Sequence, residues 1–306
     1  MTTQTETTHS GDTLTTLLAD LVDYAGLFPP AQLDMAAAVA EYARQRRSRR
    51  QWMLARFVVP VSRLGELAEA AKGVQEVADR PWPLSVLTPG DPRQSRRTLD
   101  DFLARHGDAF RAEAIEHRPA SPEAVADAAE AFSGIEVFYE LPHQDADLDR
   151  WMAAVAAVGG HAKIRSGGVT ADAFPSSAEV ARFLETARDH GVALKATAGL
   201  HHPLRGEYRL TYADDSPSGT MHGFLNVFLT AAALHANLVD TRQAEELLDE
   251  LDDSAFDVDP DGIVWRGLLI PTAALTEGRQ GFALSYGSCS FAEPVEELES
   301  LGFLTP

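Results

Sequence analysis

Three of the 26 basic side chains in this 306-residue chain are lysine, and two of those, Lys163 and Lys195, lie in short apolar segments that read as neighbouring buried strands. Arginine keeps its proton at any useful pH, whereas a buried lysine amine is readily neutralised and can then act as a base or form a Schiff base. Two-residue alternation gives Lys163 and Arg165 one face of their strand, with Ala162 and Ile164 on the other, and puts Lys195 and Thr197 on one face of the next. With both pairs turned inward, two ammonium groups and a guanidinium crowd one spot. The expectation is that one lysine titrates well below its ordinary range and is nucleophilic near neutrality.

Other polar residues fall at the ends of apolar segments. Glu140 closes FYELP, beside the first lysine strand, where a carboxylate can pair with Lys163 or Arg165 and serve as general base. Glu113 and Glu116 share the segment 111–116, and their odd spacing turns at most one of them inward. Asp23 and Tyr24 precede AGLFPPA, and both are candidates for substrate contact. Asp23, in an apolar strand, needs a partner, and Arg56 on the second segment supplies either a structural ion pair or a clamp on the substrate's anionic group. The small-residue run SYGSCS (285–290) precedes the last helix, so Gly287 and Ser288, helped by Gly167, are candidates for holding a phosphate or carboxylate. Cys289 in that run is a weak candidate nucleophile, because no histidine can be paired with it from sequence. After Lys195 come His201 and His202, with His222 opening the next helix. These serve acid–base chemistry or, as an alternative, His201 and His222 join Glu140 in a divalent-metal site of the two-histidine, one-carboxylate kind.

The runs KIRSGG (163–168) and KATAG (195–199), their lysines 32 residues apart, resemble the sixth and seventh strands of class I aldolases of the deoxyribose-phosphate aldolase type. The resemblance spans about 40 residues. It implies that Lys163 forms a Schiff base with a carbonyl substrate, that Lys195 lowers its pKa, and that no cofactor is needed. The chain departs from that family at Arg165, where a small hydroxyl residue is usual, and on the fourth strand, which offers glutamates in place of an aspartate. The phrases DYAGLFPPA and KATAGLHHP also resemble segments of a bacterial protein family, a likeness that implies nothing about activity.

What positions these residues is a repeat of apolar strand and amphipathic helix. Strands are expected at 21–28, 53–59, 83–88, 111–116, 135–141, 161–166, 192–198 and 282–288, with helices at 31–48, 62–78, 95–106, 121–132, 144–158, 176–190, 222–237 and 293–301. Helix starts are marked by Ser121-Pro122 and by Ser176 three residues before Glu179. Eight such units predict a closed (β/α)8 barrel, an α/β fold, with catalytic groups at the C-terminal ends of its strands. An open doubly wound sheet is the alternative. A long insertion, about 200–280, separates strands seven and eight and is placed to act as a lid. It carries a hairpin near Tyr208 to Tyr212, two helices and an acidic run, DDSAFDVDPDG, expected to be a solvated turn. Residues 1–15 are expected to be a disordered leader, with a single domain over 16–306.

Composition narrows the function. A net charge of −20 argues against nucleic acid, and the arginine cluster at 44–50 suits the end of a helix. No apolar run approaches the roughly 18 residues of a membrane span. One cysteine excludes an internal disulfide and fits a reducing, cytoplasmic compartment, and there is neither a Gly-x-Gly-x-x-Gly nor a Gly-Lys-Ser/Thr motif. The reading is a barrel enzyme, a lyase of aldolase type, acting on a small anionic carbonyl compound by a lysine Schiff base. Two other classes stay open. One is a metal-dependent lyase or hydrolase. The other is a non-catalytic ligand- or partner-binding barrel, in which the apolar helix 222–237 forms a surface between subunits of a homo-oligomer.

Overall fold

A computed structural model describes residues 10–74 and 80–305. Seven parallel strands follow one another: β1 (Val22–Tyr24), β2 (Leu54–Pro60), β3 (Trp82–Leu87), β4 (Phe110–His117), β5 (Glu136–Glu140), β6 (His161–Arg165) and β7 (Leu194–Thr197). Helices α1 (Ser10–Leu18), α2 (Met35–Gln45), α3 (Leu64–Ala70), α4 (Pro92–His106), α5 (Ala124–Ala131), α6 (Leu148–Ala157) and α7 (Ser177–Asp189) lie before and between them. The insertion then adds a hairpin, β8 (Gly206–Arg209) with β9 (Ser218–Met221), and two helices, α8 (Phe224–His235) and α9 (Thr241–Leu248). An antiparallel sheet of β10 (Phe256–Asp259), β11 (Gly262–Trp265) and β12 (Leu268–Pro271) follows, then helix α10 (Thr272–Gly281). The eighth barrel strand, β13 (Ala283–Ser288), pairs in parallel with both β7 and β1 and closes the ring, and α11 (Ala292–Ser300) ends the fold. The fold is a closed (β/α)8 barrel; the open-sheet alternative is excluded by the β1–β13 pairing.

Local chemistry sets the helix starts. Asp34 accepts a hydrogen bond from the Ala37 N–H at 2.8 Å. Asp91 accepts from Arg93 and Gln94, with Pro92 in the first turn. Ser176 and Glu179 form the reciprocal capping box that their spacing implies, as do Asp240 and Gln243. Outside the barrel wall, Tyr24, Tyr42, Phe57 and Trp82 pack as a seam with ring centroids 4.7–5.9 Å apart, joining β1–β3 to α2.

The structure departs from the sequence reading in four places. Over 10–15 the expected disordered leader is instead part of a helix, with Leu14, Leu17 and Leu18 buried, while residues 1–9 of that expectation lie outside the described residues. Helix 62–78 is realised over Leu64–Ala70, and its far end falls partly on residues 75–79, outside the described residues. The acidic run is no loose turn, since Asp257 and Asp259 stand on β10 and a tight hairpin leads to β11. Helix α8 offers no subunit surface: Phe224 to Leu234 are all buried within the chain, against α10, α9 and α7.

Candidate active site

The barrel interior is polar where such barrels are commonly packed with branched aliphatic side chains. Alternation turns Val22 and Tyr24 outward and leaves Asp23 alone inside on β1, with none of its surface exposed. Lys163 and Lys195 are direct register partners on β6 and β7, so their amines meet across one strand spacing. Lys195 Nζ donates to Asp23 Oδ2 at 2.5 Å and to Glu116 Oε1 at 2.7 Å. Lys163 Nζ donates to Glu116 Oε2 at 2.6 Å and lies 3.0 Å from Glu140 Oε2. Glu116 therefore bridges the two lysines with its two oxygens. Ser85 donates to Glu116 at 2.8 Å, and Ser285 donates to Asp23 at 2.8 Å. The Phe138 ring lies 5.4 Å from Lys195 Nζ.

This arrangement corrects the expected electrostatics. Burial works against the Lys163 ammonium, but Glu116 and Glu140 outweigh burial and raise its pKa above the ordinary lysine value. Burial likewise pushes Glu116 upward, and the two ammonium groups beside it overcome that and hold its carboxyl well below the usual range. Two lysines side by side repel only while nothing lies between them; here a carboxylate does. Lys195 accordingly does not leave Lys163 depressed in the resting site.

The strand β4 carries the carboxylate that sequence could not assign. A register shift between β3 and β4 skips residue 113, so both glutamates reach interior partners: Glu116 the lysines, Glu113 the guanidinium of Arg56 at 3.4 Å. Arg56 sits toward the N-terminal end of the barrel, with Glu136 at 3.2 Å and Asp23 at 3.7 Å as further partners. It lines no part of the cavity at the opposite end, so it is a structural cation and no clamp on substrate. Tyr24 faces the helix layer in the aromatic seam and takes no part in lining that cavity. Asp23 is enclosed behind Lys195.

At the C-terminal end of the strands lies a cavity of about 160 Å³. One wall is apolar, built from Ala25, Phe28, Pro29, Pro30, Val58 and Leu87, and the other carries Glu116, Glu140, Lys163, Arg165, Thr197 and His201, with Gly287 and Cys289. Lys163 reaches this space, whereas Lys195, fully buried, stands behind it. Gly168 borders the cavity, but Gly167 is a packing glycine: a Cβ there would lie 2.5 Å from the Phe174 ring and 2.8 Å from Gly199 Cα. Ser288 turns its hydroxyl to the Ser290 carbonyl at 2.7 Å and takes no part in the lining.

The histidines separate. His201 faces the cavity, its Nδ1 3.8 Å from Cys289 Sγ and 3.4 Å from Glu293 on α11. Burial disfavours its charged form, yet hydrogen bonds with Cys289 and Glu293 raise its pKa to about 10. Tyr212, beyond β8, reaches over to the same group, with its hydroxyl 3.1 Å from Glu293 and 3.7 Å from Cys289. His202 stacks on Tyr208 and binds Glu297 at 2.7 Å, outside the cavity. His222 bonds the Pro175 carbonyl through Nε2 at 2.7 Å, and burial lowers its pKa. The alternative metal set of His201, His222 and Glu140 is thus not assembled, because each side chain is committed to a different neighbour. Among the described residues, three ligand-type atoms converge within 4.8 Å at His202, Glu293 and Glu297. Sequence reasoning missed Ser85, Ser285, Tyr212 and Glu293, whose residue types are too common to stand out unplaced.

No family model and no curated protein matches the chain. Among solved structures, it is similar to a candidate deoxyribose-phosphate aldolase from Toxoplasma gondii, at 14% identity and a TM-score of 0.45, over 65% of this chain and 82% of that one. Among the described residues, no helix is long and apolar enough to cross a membrane.

Proposed function

We propose that the chain is a barrel enzyme of the lyase class that acts on a small anionic carbonyl compound through a Schiff base at Lys163. The observation that carries this reading is the pair of buried lysines bridged by one carboxylate, with the outer amine alone opening onto the cavity. Lys195 and Asp23 hold Glu116 in place from behind. Lys163 is the nucleophile, and Glu140, 3.0 Å away, is the acceptor for its proton. The freed amine forms a bond to the carbonyl carbon while the π electrons move to oxygen. That oxygen takes one proton from His201, which is held as imidazolium at neutral pH, and a second from the attacking nitrogen, and leaves as water, giving a protonated imine. The iminium then draws electrons from the adjacent C–C or C–H bond, and His201, neutral after the dehydration step and in the same cavity, takes the proton released. Water adds back across C=N to release the product. The amine itself is the electron sink, so the reading calls for no cofactor.

Borohydride reduction of the protein mixed with small aldehydes, ketones and 2-oxo acids, read by intact mass and peptide mapping, tests the proposal. A single adduct on Lys163 is the expected result. An adduct on a surface amine, or none with any carbonyl, would overturn it.

A further inference from the structure

Resting on the Schiff-base reading, the cavity specifies its substrate more closely. Its volume of about 160 Å³ is close to the roughly 150 Å³ that accommodates benzene, which sets the ligand at about six non-hydrogen atoms. The six lining residues contributed by the ends of β1–β3 are all apolar and would leave the hydroxyls of a sugar without partners there. The opposite wall carries one cation with nothing to neutralise it. Lys163 is held by two carboxylates, but Arg165, two residues along the same strand face, is exposed at the mouth and has no ion-pair partner among the described residues. A planar guanidinium matches a carboxylate with two parallel hydrogen bonds. The place where a barrel of this kind would take a phosphate is closed instead: Ser288 is turned to Ser290, Gly167 is packed against Phe174, and Glu293 occupies the first turn of α11 with a negative charge of its own.

We infer that the substrate is a short 2-oxo acid of three or four carbons, its carboxylate paired with Arg165, its carbonyl carbon at Lys163 Nζ and its alkyl end against Val58, Leu87 and Phe28. Arg165 is thereby the specificity-determining residue of the site. In the covalent step the oxo oxygen departs as water and the carboxylate stays intact.

The test measures borohydride trapping at graded concentrations of pyruvate, 2-oxobutyrate, butanone and dihydroxyacetone phosphate, with the wild type and Arg165→Gln. The two oxo acids should half-saturate at least tenfold below butanone and the phosphate ester. Arg165→Gln should raise the oxo-acid value about 10- to 100-fold, the loss expected for a charge-assisted pair, and leave butanone within about twofold. A lower half-saturation for the phosphate ester, or an oxo-acid value unmoved in the variant, would overturn the inference. Absence of any adduct, butanone included, would instead end the Schiff-base reading. The carboxylate site is then judged separately by calorimetric titration with lactate, which has no carbonyl to react. Binding by the wild type that is lost in Arg165→Gln upholds the site, and no binding, or equal binding by both, refutes it.

Discussion

Two arginines enter the barrel from opposite ends, and their surroundings differ in kind. Arg56, near the N-terminal end, is met by Asp23, Glu113 and Glu136. Arg165, at the C-terminal end, lines the cavity with no partner at all among the described residues. A cation enclosed by carboxylates is part of the framework, because its charge is spent on holding strands together. On the proposed reading, a cation left unneutralised at a cavity holds its charge in reserve for a ligand, and the same residue type, on the same barrel interior, divides by its neighbours into scaffold and proposed site.

That division can be broken by experiment. The largest effect belongs to the outer lysine: Lys163→Met should abolish the borohydride-trapped adduct, read by intact mass, and an adduct that persists would move the nucleophile elsewhere. Next comes the contrast itself. Arg56→Met removes a half-buried cation shared by three carboxylates, of which Asp23 keeps Lys195 and Glu113 keeps Arg111, and should cost about 1–3 kcal/mol of stability, whereas Arg165→Gln should stay within about 0.5 kcal/mol of wild type. Chemical denaturation decides, and equal losses for both would erase the distinction between scaffold and site. A smaller, pH-dependent effect comes from Glu116. Its folded pKa lies below its ordinary 4.5, so the stability it contributes is present above that pH and is lost as pH falls towards the folded value. The wild type should therefore lose stability below about pH 4.5 more steeply than Glu116→Gln, as melting temperatures across pH 3–7 will show. The least effect is expected at the hairpin, where Tyr212→Phe removes one partly exposed hydrogen bond to Glu293, worth about 0.5–1 kcal/mol.

The barrel was legible because its strands are short apolar runs separated by helices with explicit caps, and each of the eight lies within a few residues of its expected place. The lysine pair was legible for a related reason: direct register pairing of β6 and β7 preserves the alternation written in the sequence. Parity failed at β4, where the register shift near residue 113 brings both glutamates inside, and no residue type announces such a shift. The compensation of the lysines was hidden for the same reason, since Asp23, Glu116 and Glu140 come from strands far apart in sequence. Two other features were readable and were obscured by charge. In β10, buried Phe256 and half-buried Val258 alternate with exposed Asp257 and Asp259, a strand alternation beneath an acidic surface. In α1, Leu14, Leu17 and Leu18 keep helical spacing within a polar leader.

The bridging of both lysines by Glu116 has a consequence for how protons are counted at the site. Asp23, Glu116 and Glu140 set three acidic side chains against two amines, one more acid than base. Moving the Lys163 proton 3.0 Å onto Glu140 turns an ion pair into a neutral amine beside a neutral acid and leaves the total unchanged. In the proposed mechanism the interior therefore arms Lys163 without exporting a proton to solvent. The proton released at the start of such a turnover would still be at hand for the step that needs it back.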